Sequence, residues 1–84
     1  MTRRRKHIKV VERKLARERA WGLCWQGEGK IEVDPRQRPR RYLKTLCHEL
    51  LHHAFPSTSE TRVDRAAGVM ADVLWRQGFR RMMQ

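Results

Sequence analysis

The stretch Leu43-Lys44-Thr45-Leu46-Cys47-His48-Glu49-Leu50-Leu51-His52-His53-Ala54-Phe55 decides how the chain is read. Its apolar residues Leu43, Leu46, Cys47, Leu50, Leu51 and Ala54 recur at three- and four-residue spacing, the mark of a helix with one face on a core. Thr45, His48, Glu49 and His52 fall on the other side of that helix. His48, Glu49 and His52 spell H-E-x-x-H, and residues four apart on a helix stand one turn apart on a shared face. Two imidazoles so placed can reach one metal ion, and the glutamate between them can hold and deprotonate a metal-bound water. With four His and six Glu in 84 residues, such a match arises by accident roughly 1% of the time. The bland alternative is a polar helix face carrying two solvated histidines, so the flanking sequence has to decide.

Downstream, Phe55-Pro56-Ser57-Thr58-Ser59 breaks the helix. Ser57 and Glu60 form an S-x-x-E capping box, which predicts a second helix over about 57–77. Val63, Ala66, Ala67, Met70, Val73 and Leu74 make its apolar stripe, and Gly78 is a natural stop. The two helices, about 39–55 and 57–77, then form an antiparallel pair. A catalytic zinc takes three protein ligands and keeps one position open. Glu60 could return over the motif as the third ligand, although capping alone would account for it. Asp64, one turn further on, is the competing ligand, or a carboxylate that orients a histidine through its second N–H. His53 points about 100° from His52, so it is an exposed neighbour rather than a ligand. His53, Tyr42 and several arginines are candidate donors to a substrate oxyanion.

Upstream, Trp21, Leu23 and Trp25 alternate on one strand face, Gln26-Gly27-Glu28-Gly29 is turn chemistry, and Ile31 and Val33 alternate again. This predicts a β-hairpin over about 21–34. Asp34-Pro35 ends it, and Pro39 suits the first turn of the helix. His7 to Val11 reads as a short strand with Ile8 and Val10 on one side, running into an irregular or helical turn through Ala20. Residues 1–6 form a basic flexible tail. Residues 7–84 are expected to be one minimal domain of the α+β class: a small zincin-like fold with an antiparallel two- to three-stranded sheet packed on the motif helix and a second, antiparallel helix.

The net charge is +11 and the pI near 11.3. That is an electrostatic footprint for nucleic acid or an acidic partner, but the charge is spread along the chain and no nucleic-acid recognition module accompanies it. Cys24 and Cys47 lack C-x-x-C spacing and read as reduced, buried small hydrophobes, with a single Cys24–Cys47 disulfide as the alternative. No apolar run approaches the ~18 residues of a membrane span and no signal-peptide core follows the basic start, so the expected setting is cytoplasmic.

Three runs, Ile31-Glu-Val-Asp-Pro35, Leu43-Lys-Thr-Leu-Cys-His-Glu-Leu-Leu-His52 and Glu60-Thr-Arg-Val-Asp-Arg-Ala-Ala67, together resemble the ImmA/IrrE-like metallopeptidases, especially their short phage-encoded versions. The resemblance covers roughly residues 20–79. It implies zinc held by His48, His52 and Glu60, with Glu49 as general base and Asp64 at a position the family fills with Asn or Asp. The helix-turn-helix or sensor region of larger members is absent, so their substrates do not carry over. SprT-like proteases share H-E-x-x-H but take a histidine as third ligand, and no suitable histidine follows His53. The expected function is a zinc-dependent metallopeptidase acting on a protein or peptide, with a DNA-associated or regulatory protein as the candidate substrate. The alternative is a non-catalytic basic binder on a zincin scaffold: a phage regulator or inhibitor, or a nucleic-acid-binding protein.

Overall fold

A computed structural model of the protein describes residues 7–80, and the basic tail 1–6 lies outside them. Three strands, β1 (Lys9–Glu12), β2 (Gly22–Trp25) and β3 (Lys30–Val33), precede two helices, α1 (Pro39–Ala54) and α2 (Glu60–Arg76). The predicted hairpin is β2–β3, antiparallel, with Gly27 and Gly29 at φ 88° and 62° in its turn, a conformation open to glycine at no steric cost. Ile31 and Val33 face inward as expected, both fully buried. The sheet is nevertheless mixed rather than antiparallel. Its order is β1-β3-β2, and β1 runs parallel to β3, with Val10 opposite Ile31. β3 is therefore the central strand, and β1 and β2 are the edges.

The parallel pairing follows from the path of residues 13–21, which cross from one edge to the other past the end of β3. Asp34 closes that crossing. Its backbone N–H donates to the Trp21 carbonyl, and its side chain accepts from the Leu15 and Arg36 N–H groups and from the Arg36 guanidinium at 2.7 and 3.0 Å. Leu15 is thereby held as a plug, 1% exposed. On the outer sheet face, Glu32 is buried between Arg13 (2.6 Å) and the Trp25 indole N–H (2.6 Å). A charge in that position is tolerated because both of its oxygens have donors.

α1 is the hub of the fold. It packs on β2 and β3 on one side and on α2 on the other, while α2 touches no strand. Ile31, Val33 and Tyr42, with Ile8, Cys24 and Leu46 packed against them, fill the sheet side. Cys47, Ala67 and Ala71, with Leu43, Leu51 and Leu74, fill the helix–helix side. Alanines at the α2 contact let the helices approach closely. Cys24 and Cys47 lie in separate clusters and are both free thiols. Two expected stripe residues of α2, Met70 and Val73, are instead 43% and 44% exposed, and Ala71 takes the buried place.

Both helices end on recognisable chemistry. Pro39 opens α1 at its first position, where the missing N–H costs nothing. α2 closes on Gly78 at φ 89°: the Gly78 N–H reaches the Trp75 carbonyl and the Phe79 N–H reaches the Leu74 carbonyl, a Schellman arrangement. The start of α2 differs from expectation. Thr58 N–H bonds back to the Phe55 carbonyl, closing a turn, and Ser59 rather than Ser57 becomes the cap, its hydroxyl accepting from Arg62 N–H. No helix among the described residues is long and apolar enough to cross a membrane.

Candidate metal centre

The shift of the cap from Ser57 to Ser59 has a chemical consequence. Glu60 becomes the first residue of α2 instead of the third, so its carboxylate does no capping and is free to reach across to α1. It does so. Glu60 Oε1 lies 2.7 Å from His48 Nε2, and Oε2 lies 2.7 Å from His52 Nε2. The two Nε2 atoms are 3.1 Å apart. His48, His52 and Glu60 thus bring three ligand atoms close enough to bind one metal ion. Bonds of ~2.05 Å in tetrahedral array would set ligand atoms ~3.3 Å apart, only slightly wider than these distances. Two imidazoles and one carboxylate are also the donor set of a three-ligand site with an open position.

Asp64, the competing ligand, stands elsewhere. Its Oδ1 is 3.4 Å from His48 Nδ1 and 3.6 Å from the Lys44 ammonium. A carboxylate beside Nδ1 favours the tautomer that carries its proton there, which leaves the Nε2 lone pair for a metal. Asp64 is therefore placed behind His48 rather than among the converging atoms.

Glu49 does not join the triad. It lies on the sector of α1 that faces β2, and it is 8% exposed. The motif as a whole is thus less open than a solvent-facing helix side would be: Glu49 is buried and both histidines are half-buried, while Leu50 is 38% exposed. Burial pushes the Glu49 carboxyl above its ordinary range, against the opposing pull of His48 and His52, with Glu60 adding to the rise. The approach of β2 depends on Gly22. A Cβ there would stand 2.6 Å from Thr45 Cγ2 and 2.9 Å from Glu49 Cγ. β2 then runs beside α1 toward Gln26, whose amide donates to the His52 carbonyl at 3.0 Å.

Between β2 and α2, with α1 as floor, lies a cleft of about 850 Å3. His48, Glu49 and Asp64 line it, together with Trp21, Gly22 and a group of cationic residues from the loop and first turns of α1. Gln37, which carried no sequence signal, fixes this wall. Its amide donates to the Trp21 and Asp34 carbonyls, and its oxygen accepts from the Thr45 hydroxyl at 2.5 Å. One buried side chain thereby ties β2, the end of β3 and α1 together one turn before the motif.

Two oxyanion candidates are not brought to this place. Tyr42 is buried on the sheet side of α1, and its hydroxyl donates to Glu12 of β1 at 2.8 Å. His53 is half-buried and lines neither the cleft nor the group of converging ligands. The β3 strand Lys30–Val33 is central and paired on both sides, so it offers no edge for peptide addition. The available edge beside the motif is β2. Compared with known protein families, curated proteins and solved structures, the chain has no significant match.

Proposed function

We propose that the protein is a zinc-dependent hydrolase, a small zincin-like metallopeptidase. The observation that carries this is the convergence of His48, His52 and Glu60 at 2.7–3.1 Å, with a buried glutamate, Glu49, lining one cleft together with His48. The motif residues that resemble the ImmA/IrrE-like family support the same assignment, on sequence and placement alone. Bound zinc would lower the pKa of its water toward ~7 and polarise a substrate carbonyl.

The chain's own residues supply the remainder. Glu49 takes the proton from the attacking water at its carboxylate and later hands it to the leaving amine. Asp64 keeps the His48 ring oriented through Nδ1. β2 aligns the substrate: with Trp21 accepting from Asp34 across the hairpin, the alternation of an antiparallel ladder turns the backbone groups of Gly22 and Cys24 toward the free edge. An extended peptide can add there as a further strand, which favours a peptide over a compact small molecule.

The rival reading, a non-catalytic basic binder, is favoured by one observation, the net charge of +11. Zinc analysis and peptide cleavage separate the two. Protein purified without chelators should carry close to one zinc per chain, and His48→Ala or Glu60→Ala should lose it. Glu49→Gln should keep the zinc and lose peptide cleavage. A protein that neither carries nor takes up zinc sinks the hydrolase reading, whereas nucleic-acid affinity that falls steeply with added salt would support the rival.

A further inference from the structure

The cleft extends well past His48, the triad residue that lines it, and its far end is cationic. Three of the cations there are neutralised within the fold: Arg36 by Asp34 (2.7 Å), Arg40 by Asp72 (3.2 Å) and Lys44 by Asp64 (3.6 Å). Two are not. Arg38 and Arg41 line the cleft and have no acidic partner among the described residues. No acidic residue occupies the first turn of α1 either.

Arg41 is held without being neutralised. Its guanidinium lies over the Trp21 ring, 5.3 Å from the centroid. Stacking engages the flat face of the group and leaves its in-plane N–H fork unengaged. A fork fixed in this way is suited to grip a carboxylate through two parallel hydrogen bonds. From Arg41 to His48 is two turns of α1, ~10 Å at ~1.5 Å per residue. An extended peptide advances ~3.3 Å per residue, so the two points are about three peptide residues apart.

We propose that Trp21, Arg41 and Arg38 form a carboxylate-binding subsite, which selects peptides carrying an acidic side chain or a free C-terminus about three residues from the bond at the triad. The proposal rests on the peptidase reading of the same cleft and names its substrate class. A peptide suits the cleft better than a polyphosphate chain does, because Asp64, Asp72 and Glu49 also line it. They would repel successive phosphates, while a single carboxylate meets only the arginine end.

The test uses fluorescein-labelled peptides of an alanine-rich frame through which one glutamate is walked, a matched glutamine set, and each with a free or amidated C-terminus. Binding is measured on zinc-loaded Glu49→Gln protein and cleavage on wild type. The best glutamate or free-carboxylate peptide should bind about tenfold tighter than its neutral match. Wild type should cut it about three residues from the charge, and the position of the best probe distinguishes side chain from C-terminus. Adding Arg38→Ala and Arg41→Ala should erase the preference while leaving the neutral peptide's affinity unchanged, and Arg41→Lys should keep part of it. Equal binding of charged and neutral peptides overturns the subsite even if both are cleaved. A charge preference that survives without any cleavage keeps the subsite and removes the peptidase reading. A single-stranded oligonucleotide that displaces the charged peptide, and itself loses affinity in the double variant, assigns the arginines to phosphate and overturns the proposal.

Discussion

Asp34 and Glu49 are both buried carboxylates, 0% and 8% exposed, yet their surroundings are opposite. Asp34 receives two backbone N–H groups and two guanidinium contacts, and the Arg36 guanidinium holds its carboxyl well below the ordinary range despite burial. Glu49 takes part in none of the side-chain hydrogen bonds among the described residues; its carboxylate opens on the cleft instead, since no fully buried side-chain oxygen lacks a partner, and burial pushes its carboxyl the other way. A buried carboxylate saturated with donors is architecture, because removing it strands every donor at once. A largely buried carboxylate that is raised by burial and opens on a cleft is a candidate for proton transfer. The two are linked through Gln37, which binds the Asp34 carbonyl at one end and Thr45, one turn before Glu49, at the other.

The sharpest way to break this contrast is to neutralise each carboxylate in turn. Glu49→Gln should lower peptide cleavage by about 10²–10⁴-fold, the range for losing a general base. Its zinc content should not change, and its stability should stay within about 1 kcal/mol of wild type, since no donor is stranded. Equal activity would remove Glu49 from the chemistry. Asp34→Ala should do the reverse. It should lower the melting temperature by roughly 10 °C or more, while the protein that remains folded at low temperature keeps its zinc.

The Asp34 arm also carries a pH signature. Its folded-state carboxyl lies below its ordinary value of 3.8, so the stability it contributes is present above that value and is lost as pH falls through the folded value. Glu32, lowered mainly by its bond to Arg13, acts in the same direction. Acid unfolding followed by circular dichroism should therefore lose part of its dependence below about pH 4 in Asp34→Asn. An unchanged acid limb would mean that other carboxylates dominate it.

Gly22 tests how far the architecture positions Glu49. A methyl group at position 22 would meet Thr45 Cγ2 at 2.6 Å and Glu49 Cγ at 2.9 Å, so α1 or β2 must give way. On the proposed hydrolase reading, Gly22→Ala should cost roughly tenfold or more in cleavage, because a small displacement of a general base is expensive. His48 and His52 project from a different sector of α1, so with Glu60 of α2 they should still bind the proposed zinc. Activity equal to wild type would show that the contact is slack.

These residues also mark what the sequence could and could not reveal. The hairpin, α1, α2 and the H-E-x-x-H face were legible because they are encoded locally, by alternation, turn glycines and helical spacing. Glu60 could be named a candidate but not released from the capping box. Ser57, Thr58 and Ser59 compete for the cap, and only the turn from Phe55 to Thr58 settles it on Ser59. The parallel pairing of β1 was hidden because it depends on a crossing loop tied to Asp34, a contact between residues nineteen apart. Gln37 left no trace, since a glutamine that bridges three elements follows no period. The cleft arginines were visible only as charge, and the fold shows that some are neutralised and Arg38 and Arg41 are not.

Tyr42 gives the smallest expected effect and the cleanest separation of the two sides of α1. By sequence it is one of the candidate donors to a substrate oxyanion. Its hydroxyl instead bonds Glu12 at 2.8 Å, across the sheet core from the cleft. Tyr42→Phe keeps the ring that packs on Ile31 and Val33 and removes the hydroxyl that bonds Glu12, so it should cost about 1 kcal/mol in stability. Cleavage per folded molecule should be unchanged, with kcat and KM both at wild-type values. A fall in kcat with KM unaltered would instead place the phenol at the reacting carbonyl, which would require the sheet side of α1 to open during turnover.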